Sequence, residues 1–276
     1  MIEKHLMTWE EYEKTFHPTP YSFVVSKAGR CIYYFGARHS CDPKDPQFPL
    51  IKKFWKEFLK TTEGKDRMVF VEGGVRPMSR SANEAIARGG EPDFITYAAT
   101  KEGIKIISPE PPESLRYKEL LKHFTKEEIA YHDFARMVYQ WNRRIKKPDF
   151  AKYLGDSLAW DRHQSGWVDF DFSIAHMIAI HEKLFKRAFD KDDKDLFAGI
   201  VDPTKNLSRI NAVSHEVFRD AYILRQIEKY WKKGTNLFIV YGSSHAVMQE
   251  RAIRALGQQK QKKTSGRTLR ARRGEH

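Results

Sequence analysis

Two short motifs place a histidine three residues after a glycine, near opposite ends of the chain. The first runs from Gly36 to His39 with the sequence GARH, and the second runs from Gly242 to His245 with the sequence GSSH. Each follows an apolar run, so we expect each glycine to let the chain turn as it leaves a strand. An imidazole at a strand end can bind a metal ion or exchange protons near neutral pH.

Two glutamates follow two further apolar runs in the same way. Glu72 comes directly after the run 68–71, and Glu110 lies beyond the run 104–107. In an open parallel sheet the carboxyl ends of the strands meet at one edge, where ligands bind. We therefore expect both carboxylates and both histidines to converge on one site.

This set of residues supports two kinds of hydrolytic chemistry. In the first, His39, Glu72 and His245 hold a divalent metal ion with open positions for water and substrate. In the second, the same groups act as general acid and base without a metal. Glu110 serves as the general base or, where a metal is bound, as a second ligand. Hydrolysis of an amide, peptide or ester bond is the predicted reaction, on a small-molecule or peptide substrate. The alternative is a crevice that binds a ligand without turnover.

Alternating strands and helices must position these residues. The apolar runs at 30–35, 68–71, 104–107 and 236–241 predict strands, and helical spacing appears at 50–59, 81–88, 94–103, 213–233 and 246–256. Such alternation with short connections is typical of βαβ units. The predicted fold is α/β, a largely parallel central sheet flanked by helices, with a helical insertion between the third and last of these strands.

The pattern of the chain predicts three parts. An α/β catalytic core comprises 1–113 and 203–257, a helical insertion comprises 114–202, and a disordered basic tail comprises 258–276. In the insertion, Thr125 and Glu128 have the spacing of a capping box, which predicts a helix start. The length of the insertion suggests a lid over the site, and an oligomer interface, which would be equally apolar, is the alternative.

Composition narrows the class of protein further. A chain of 276 residues that is 41% hydrophobic can bury a substantial core. No apolar stretch is long enough to span a bilayer, the start lacks the order of a secretory signal, and the two cysteines make no disulfide framework. We expect a cytoplasmic protein with no membrane partner.

The basic charge is concentrated at one end of the chain. The formal net charge is +13, and residues 258–276 contain seven Lys or Arg against one Glu. Such a segment is typical of a solubilising extension or of an anion-binding tail. Nucleic acid is therefore a possible partner only through this tail.

Other common site motifs are absent or fit poorly. The chain has no Gly-x-Gly-x-x-Gly, Walker, His-Glu-x-x-His or Cys-x-x-Cys motif. The run 242–246 also matches a Gly-x-Ser-x-Ala elbow with Ser244 as a nucleophile. In that fold the acid and the histidine follow the serine, whereas here only a helix and the basic tail follow.

The helix before the last strand carries an arginine, Arg219. Taken with the paired motifs and Glu72, it makes the chain resemble the TraB/Tiki group of the erythromycin-esterase-like superfamily. The resemblance covers about 30–110 and 210–257, and the proline-rich segment around Glu110 is closer to the esterase-like branch. It implies an α/β fold with a helical insertion and a shared crevice. In this group the histidines and glutamates belong to a metal-dependent peptidase site or activate water for ester hydrolysis, and other relatives bind haem. Arg219, added by the resemblance, would stabilise the developing oxyanion.

Overall fold

A five-stranded sheet forms the centre of the molecule. The computed structural model describes residues 2–144, 147–201, 207 and 209–258. The strands are β1 (Tyr21–Lys27), β2 (Arg30–Ala37), β3 (Arg67–Val71), β4 (Lys105–Ile107) and β5 (Asn236–Gly242). They lie in the order β1-β2-β5-β3-β4, and all neighbours are parallel except β1 and β2. The predicted α/β class with a mostly parallel sheet is confirmed.

The four predicted strands are β2 to β5, and the antiparallel edge strand β1 was not predicted. Every residue of β5 is buried, because helices cover both faces of the sheet, and this is why its sequence is continuously apolar. In β1 only Phe23 and Val25 are buried, so its apolar signal is weak. A two-residue turn at Ala28 and Gly29, both with positive φ, connects β1 to β2.

Helices cover both faces of the sheet. A 3-10 helix (Ile2–His5) starts the described chain and a π-helix (Val213–Asp220) precedes α10. The α-helices of the described residues are α1 (Trp9–Glu13), α2 (Gln47–Thr61), α3 (Ala82–Lys101), α4 (Glu113–Leu120), α5 (Lys126–Asn142), α6 (Phe150–Ser165), α7 (Ile174–Phe185), α8 (Lys194–Val201), α9 (Arg209–Ala212), α10 (Ala221–Lys233) and α11 (Ser243–Gln258). One face packs against α10 and α11, and the other packs against α2 and α3.

Two helices depart from regular α geometry at positions that matter for the site. In α3 the backbone breaks at Gly89 and Gly90, where the predicted helix 81–88 ends and the next one begins. The predicted continuous helix 213–233 instead starts as the π-helix and becomes α-helical at Ala221. Wide π turns are rare and often occur at functional sites, and this one carries Arg219.

Helices α4 to α8 pack around an apolar core of their own. Its buried members include Tyr131, Phe134 and Phe197. The predicted capping box is confirmed at the start of α5, where Thr125 Oγ1 accepts from Glu128 N at 3.2 Å and Thr125 N donates to Glu128. The division into core, insertion and tail stays a prediction, and the tail beyond Gln258 lies outside the described residues. No helix in the described ranges is long and apolar enough to cross a membrane.

The glycine of the first motif permits a close approach between elements. Gly36 does not have a positive φ, so it is not needed for the turn that the sequence suggested. A Cβ at Gly36 would lie 2.6 Å from Ala246 Cβ, 2.8 Å from Ser243 Cα and 2.8 Å from Tyr21 O. Helix α11 can therefore lie directly against β2 only if this side chain is missing.

We expect Gly36→Ala to lower the free energy of unfolding by about 1 to 3 kcal/mol, the usual range for overpacking. Urea denaturation measures the change. Gly155→Ala, in an exposed turn of α6 with no atom within 4 Å of the added Cβ, is the matched control and should be neutral or stabilising. Equal effects at the two positions would contradict the packing argument.

Candidate functional site

Arg219 lies at the centre of the contacts between the predicted site residues. Its Nε and Nη2 atoms donate to the two carboxylate oxygens of Glu110 at 2.7 and 2.8 Å. Nη2 also donates to Glu72 Oε1 at 2.8 Å, and Nη1 lies 2.8 Å from His245 Nε2. The planar guanidinium matches the geometry of a carboxylate, so it can hold several groups at once. One cation thus joins three of the predicted residues.

Separate segments supply these side chains, all beyond the carboxyl ends of parallel strands or on adjoining helices. His39 follows β2, Glu72 follows β3, Glu110 follows β4, Arg219 lies in the π-helix and His245 lies in the first turn of α11. The strands β2, β5, β3 and β4 are consecutive neighbours, so their ends form one edge. The structure therefore brings together all five side chains that the sequence and the resemblance selected.

Glu72 is held in its charged form. Its Oε2 accepts from the backbone N–H of Gly242 at 2.7 Å, and its Oε1 accepts from Arg219. Burial raises the pKa of Glu72, but His245, Arg219 and His39 outweigh burial and lower that pKa to about 2. A carboxylate in this state orients its neighbours and does not act as a general acid near neutral pH.

His245 is buried and fixed from both ring nitrogens. Its Nδ1 lies 2.7 Å from Asp220 Oδ1, and its Nε2 faces Arg219 Nη1. A guanidinium has no acceptor, so Nε2 accepts and the ring proton is on Nδ1, donated to Asp220. Burial lowers the pKa of His245 and Asp220 raises it, with a net rise. Taking up a second proton at Nε2 would break the contact with Arg219.

His39 is the accessible histidine of the pair. Its side chain is 58% exposed, and its backbone φ of 56° lies in the left-handed region, which non-glycine residues rarely adopt. Nε2 lies 3.6 Å from Glu72 Oε2, and Nδ1 lies 3.8 Å from Glu91 Oε2. The contact with Glu91 raises the pKa of His39 most, burial opposes this, and Glu72 adds to the rise. Two carboxylates therefore flank an imidazole that solvent can reach.

Glu91 and Asp220 are site residues that the sequence did not indicate. The side chain of Glu91 is almost fully buried, and its Oε1 accepts from Ser40 N at 2.8 Å and from Gln47 Nε2 at 2.6 Å. The break in α3 permits this, because a Cβ at Gly90 would lie 2.8 Å from Ser40 O. The sequence showed the helix break at Gly89-Gly90, but no pattern showed that this break would place Glu91 beside His39.

The glycine of the second motif makes room for the site itself. A Cβ at Gly242 would lie 2.7 Å from His39 Nε2 and 3.6 Å from Glu72 Oε2. Gly242 has no positive φ, so close approach and not a tight turn explains this glycine as well. The glycine of one motif thus makes space for the histidine of the other.

The predicted metal ligands do not fit a metal ion in this arrangement. The predicted ligand atoms meet in two pairs that are each 3.6 Å apart, Glu72 Oε2 with His39 Nε2 and Glu72 Oε1 with His245 Nε2. Both atoms of the second pair contact the Arg219 guanidinium. Within the described parts of the chain, no group of three or more His, Cys, Asp or Glu side chains could hold a metal ion. A divalent cation held by all three residues would have to displace Arg219, which already supplies positive charge there.

A cavity of about 660 Å³ opens beside the cluster, a size suited to a small ligand. Glu72, Glu110 and Arg219 line one side of it, and residues of α4, α5 and α6, including Arg136 and Trp160, line the other. The predicted helical insertion therefore supplies a wall of the crevice. Whether it also moves as a lid or binds a second copy stays a prediction.

Comparisons with family models, curated proteins and solved structures found no match to this chain. The resemblance to the TraB/Tiki group therefore stays a prediction from the sequence, and the argument for function depends on the geometry of the site.

We expect Glu91→Gln to lower the pKa of His39, because the variant removes the carboxylate that raises it most. An NMR titration of the His39 ring protons measures the midpoint. Glu102→Gln, an exposed position following the far end of α3, is the control and should leave the midpoint unchanged. A midpoint that does not move in Glu91→Gln would show that Glu91 does not act on His39.

Proposed function

We propose that this protein is a hydrolase of amide or ester bonds whose reaction centre is His39 beside Glu72 and Arg219. The observation that supports the proposal is an accessible, carboxylate-flanked imidazole beside Glu72, whose other carboxylate oxygen accepts from the fixed Arg219 guanidinium that lines the cavity. A general base and a positive group for a developing oxyanion are the two requirements of acyl-bond hydrolysis.

In the proposed reaction His39 activates water. The imidazole accepts a proton from a water molecule as the water oxygen bonds to the carbonyl carbon of the substrate. Glu72 and Glu91 stabilise the imidazolium that results. The carbonyl oxygen gains negative charge, which the Arg219 guanidinium stabilises. As the tetrahedral intermediate collapses, the imidazolium returns its proton to the leaving oxygen or nitrogen.

The other predicted residues take positioning roles in this mechanism. Both oxygens of Glu110 are engaged by Arg219, so the carboxylate fixes the guanidinium and is poorly placed to act as the base. His245 is buried. Asp220 fixes its Nδ1 atom, and its Nε2 atom holds Arg219 from the other side. No step of this reaction requires a metal ion.

We expect the wild-type chain to hydrolyse activated 4-nitrophenyl esters, and His39→Ala to lower kcat/KM by at least about 100-fold, the usual contribution of a general base. Release of 4-nitrophenol measures the rate. The exposed His163 on α6 provides the control variant His163→Ala, which should retain full activity.

Full activity in His39→Ala would contradict the assignment of the base. Activity lost on dialysis against a chelator would instead support the metal site predicted from the sequence. A wild-type protein that binds ligands and hydrolyses neither activated esters nor peptides would support the alternative prediction, a crevice that sequesters a small molecule or haem.

A further inference from the structure

The cavity beside the cluster has an acidic lining. Within the described part of the chain, five carboxyl groups and three guanidinium groups line it: Glu72, Glu110, Glu113, Asp133, Asp161, Arg116, Arg136 and Arg219. Arg136 is exposed, so solvent screens its charge. A positively charged ligand therefore meets a favourable potential in this cavity.

Two of the arginines are shared between four of these carboxylates. Arg219 binds both Glu72 and Glu110. Arg116 donates to Asp133 Oδ2 at 2.6 Å and to Glu113 Oε2 at 2.5 Å. Each guanidinium thus lies between two negative charges, and neither is left to neutralise the fifth carboxyl group of the lining.

That fifth group, Asp161 on α6, has an oxygen atom without a donor. Asp161 is 5% exposed and lines the cavity. Its Oδ1 contacts the hydroxyl of Tyr117 at 3.0 Å, whereas its Oδ2 has no hydrogen-bond partner among the described residues. A largely buried carboxylate oxygen without a donor costs free energy, which a donor on a ligand recovers.

A shared hydroxyl group indicates that Asp161 holds a proton that a cation can replace. The hydroxyl of Tyr117 also lies 3.0 Å from Asp133 Oδ2. It can donate to one carboxyl only, so the other contact needs a second proton. Burial raises the pKa of Asp133, but Arg116 and His132 outweigh burial and lower it. Burial, followed by the charge of Asp133, raises the pKa of Asp161 to about 7, so the second proton is on Asp161.

An aromatic side chain lines the same cavity. Trp160 is 49% exposed, and Met137 and Phe218 add further apolar surface to the lining. The face of an indole attracts a cation, and its area packs against hydrocarbon. The cavity thus offers a carboxyl group for a positive charge and an apolar surface for the body that carries it.

We infer that the cavity binds a protonated amine, with its ammonium group at Asp161 and its apolar body against Trp160. The ammonium group replaces the proton of Asp161 and donates to the oxygen that lacks a donor. An ester or amide that carries a free amino group is then the substrate class, and this step alone rests on the proposed function. The amine site itself requires no turnover.

Two ligands that differ in one charge test the inference. 2-Phenylethylamine carries an ammonium group at pH 8, and 2-phenylethanol has the same hydrocarbon body without a charge. We expect NMR titration of the wild-type chain to give a Kd for the amine at least about tenfold below that for the alcohol, the worth of one charge-assisted hydrogen bond. Asp161→Asn should raise the Kd for the amine by about tenfold or more and that for the alcohol by less than about twofold.

The pH dependence of binding separates a direct role of Asp161 from a structural one. Asp133 on α5 and Glu113, Arg116 and Tyr117 on α4 are the charged or titratable groups that act on Asp161. At low pH the ammonium group must displace a proton from Asp161, so the affinity of the wild-type chain for the amine should fall by about tenfold from pH 8 to pH 6. The affinity of Asp161→Asn for the amine should change by less than about twofold.

Asp156→Asn is the matched control, since Asp156 is an exposed carboxylate on α6 that does not line the cavity. It should leave both Kd values unchanged. Trp160→Leu replaces a half-exposed side chain, so the fold should be retained, and it should weaken binding of the amine by about two- to fivefold through loss of the cation–π contact.

Equal Kd values for the amine and the alcohol in the wild-type chain would overturn the inference. An amine Kd that does not change in Asp161→Asn, or the absence of binding by either ligand, would overturn it as well. Selective amine binding without hydrolysis of 4-nitrophenyl esters would support the amine site and reject the proposed function. Ester hydrolysis without selective amine binding would overturn the amine site and leave the proposed function standing.

Discussion

The ion pairs of Arg219 are the interaction on which the arrangement of the site depends. A guanidinium and two carboxylates are withdrawn from most of the solvent, at a cost of several kcal/mol per ion. That cost is offset only if the charges meet with good geometry, and Arg219 meets Glu110 with two parallel hydrogen bonds and Glu72 with a third. The ends of β3 and β4 and the π-helix are therefore tied to one point, and removing one partner would leave a buried charge uncompensated.

This constraint divides the two histidines between different roles. His245 belongs to the fixed part, because Asp220 and Arg219 hold both ring nitrogens away from solvent. His39 belongs to the accessible part, where Glu72 and Glu91 flank the ring and leave it more than half exposed. Glu72 contacts both parts. The cluster thus positions an exposed imidazole against a rigid, charged wall, as proton transfer at a substrate requires.

The sequence predicted the site at the level of strand ends, because that signal is local. Buried parallel strands are continuous apolar runs, and a glutamate or histidine beyond such a run is visible without any structure. Side-chain contacts between distant segments are not local. No spacing pattern marks Asp220 or Glu91. Asp220 is adjacent to Arg219 in the chain, and Glu91 follows the Gly89-Gly90 break. The edge strand β1 was missed because only two of its residues are buried, and the π-helix was missed because its apolar spacing resembles that of an α-helix.

A double-mutant cycle between Arg219 and Glu110 tests the central claim most directly. The free energies of unfolding of Arg219→Met, Glu110→Gln and the double variant would be measured by urea denaturation, with the wild-type chain as reference. If Arg219 assembles the site, each single variant is destabilised and the double variant is more stable than the sum predicts, with a coupling of about 1 to 3 kcal/mol. Additive effects would mean that Arg219 and Glu110 do not stabilise each other, and would contradict the account.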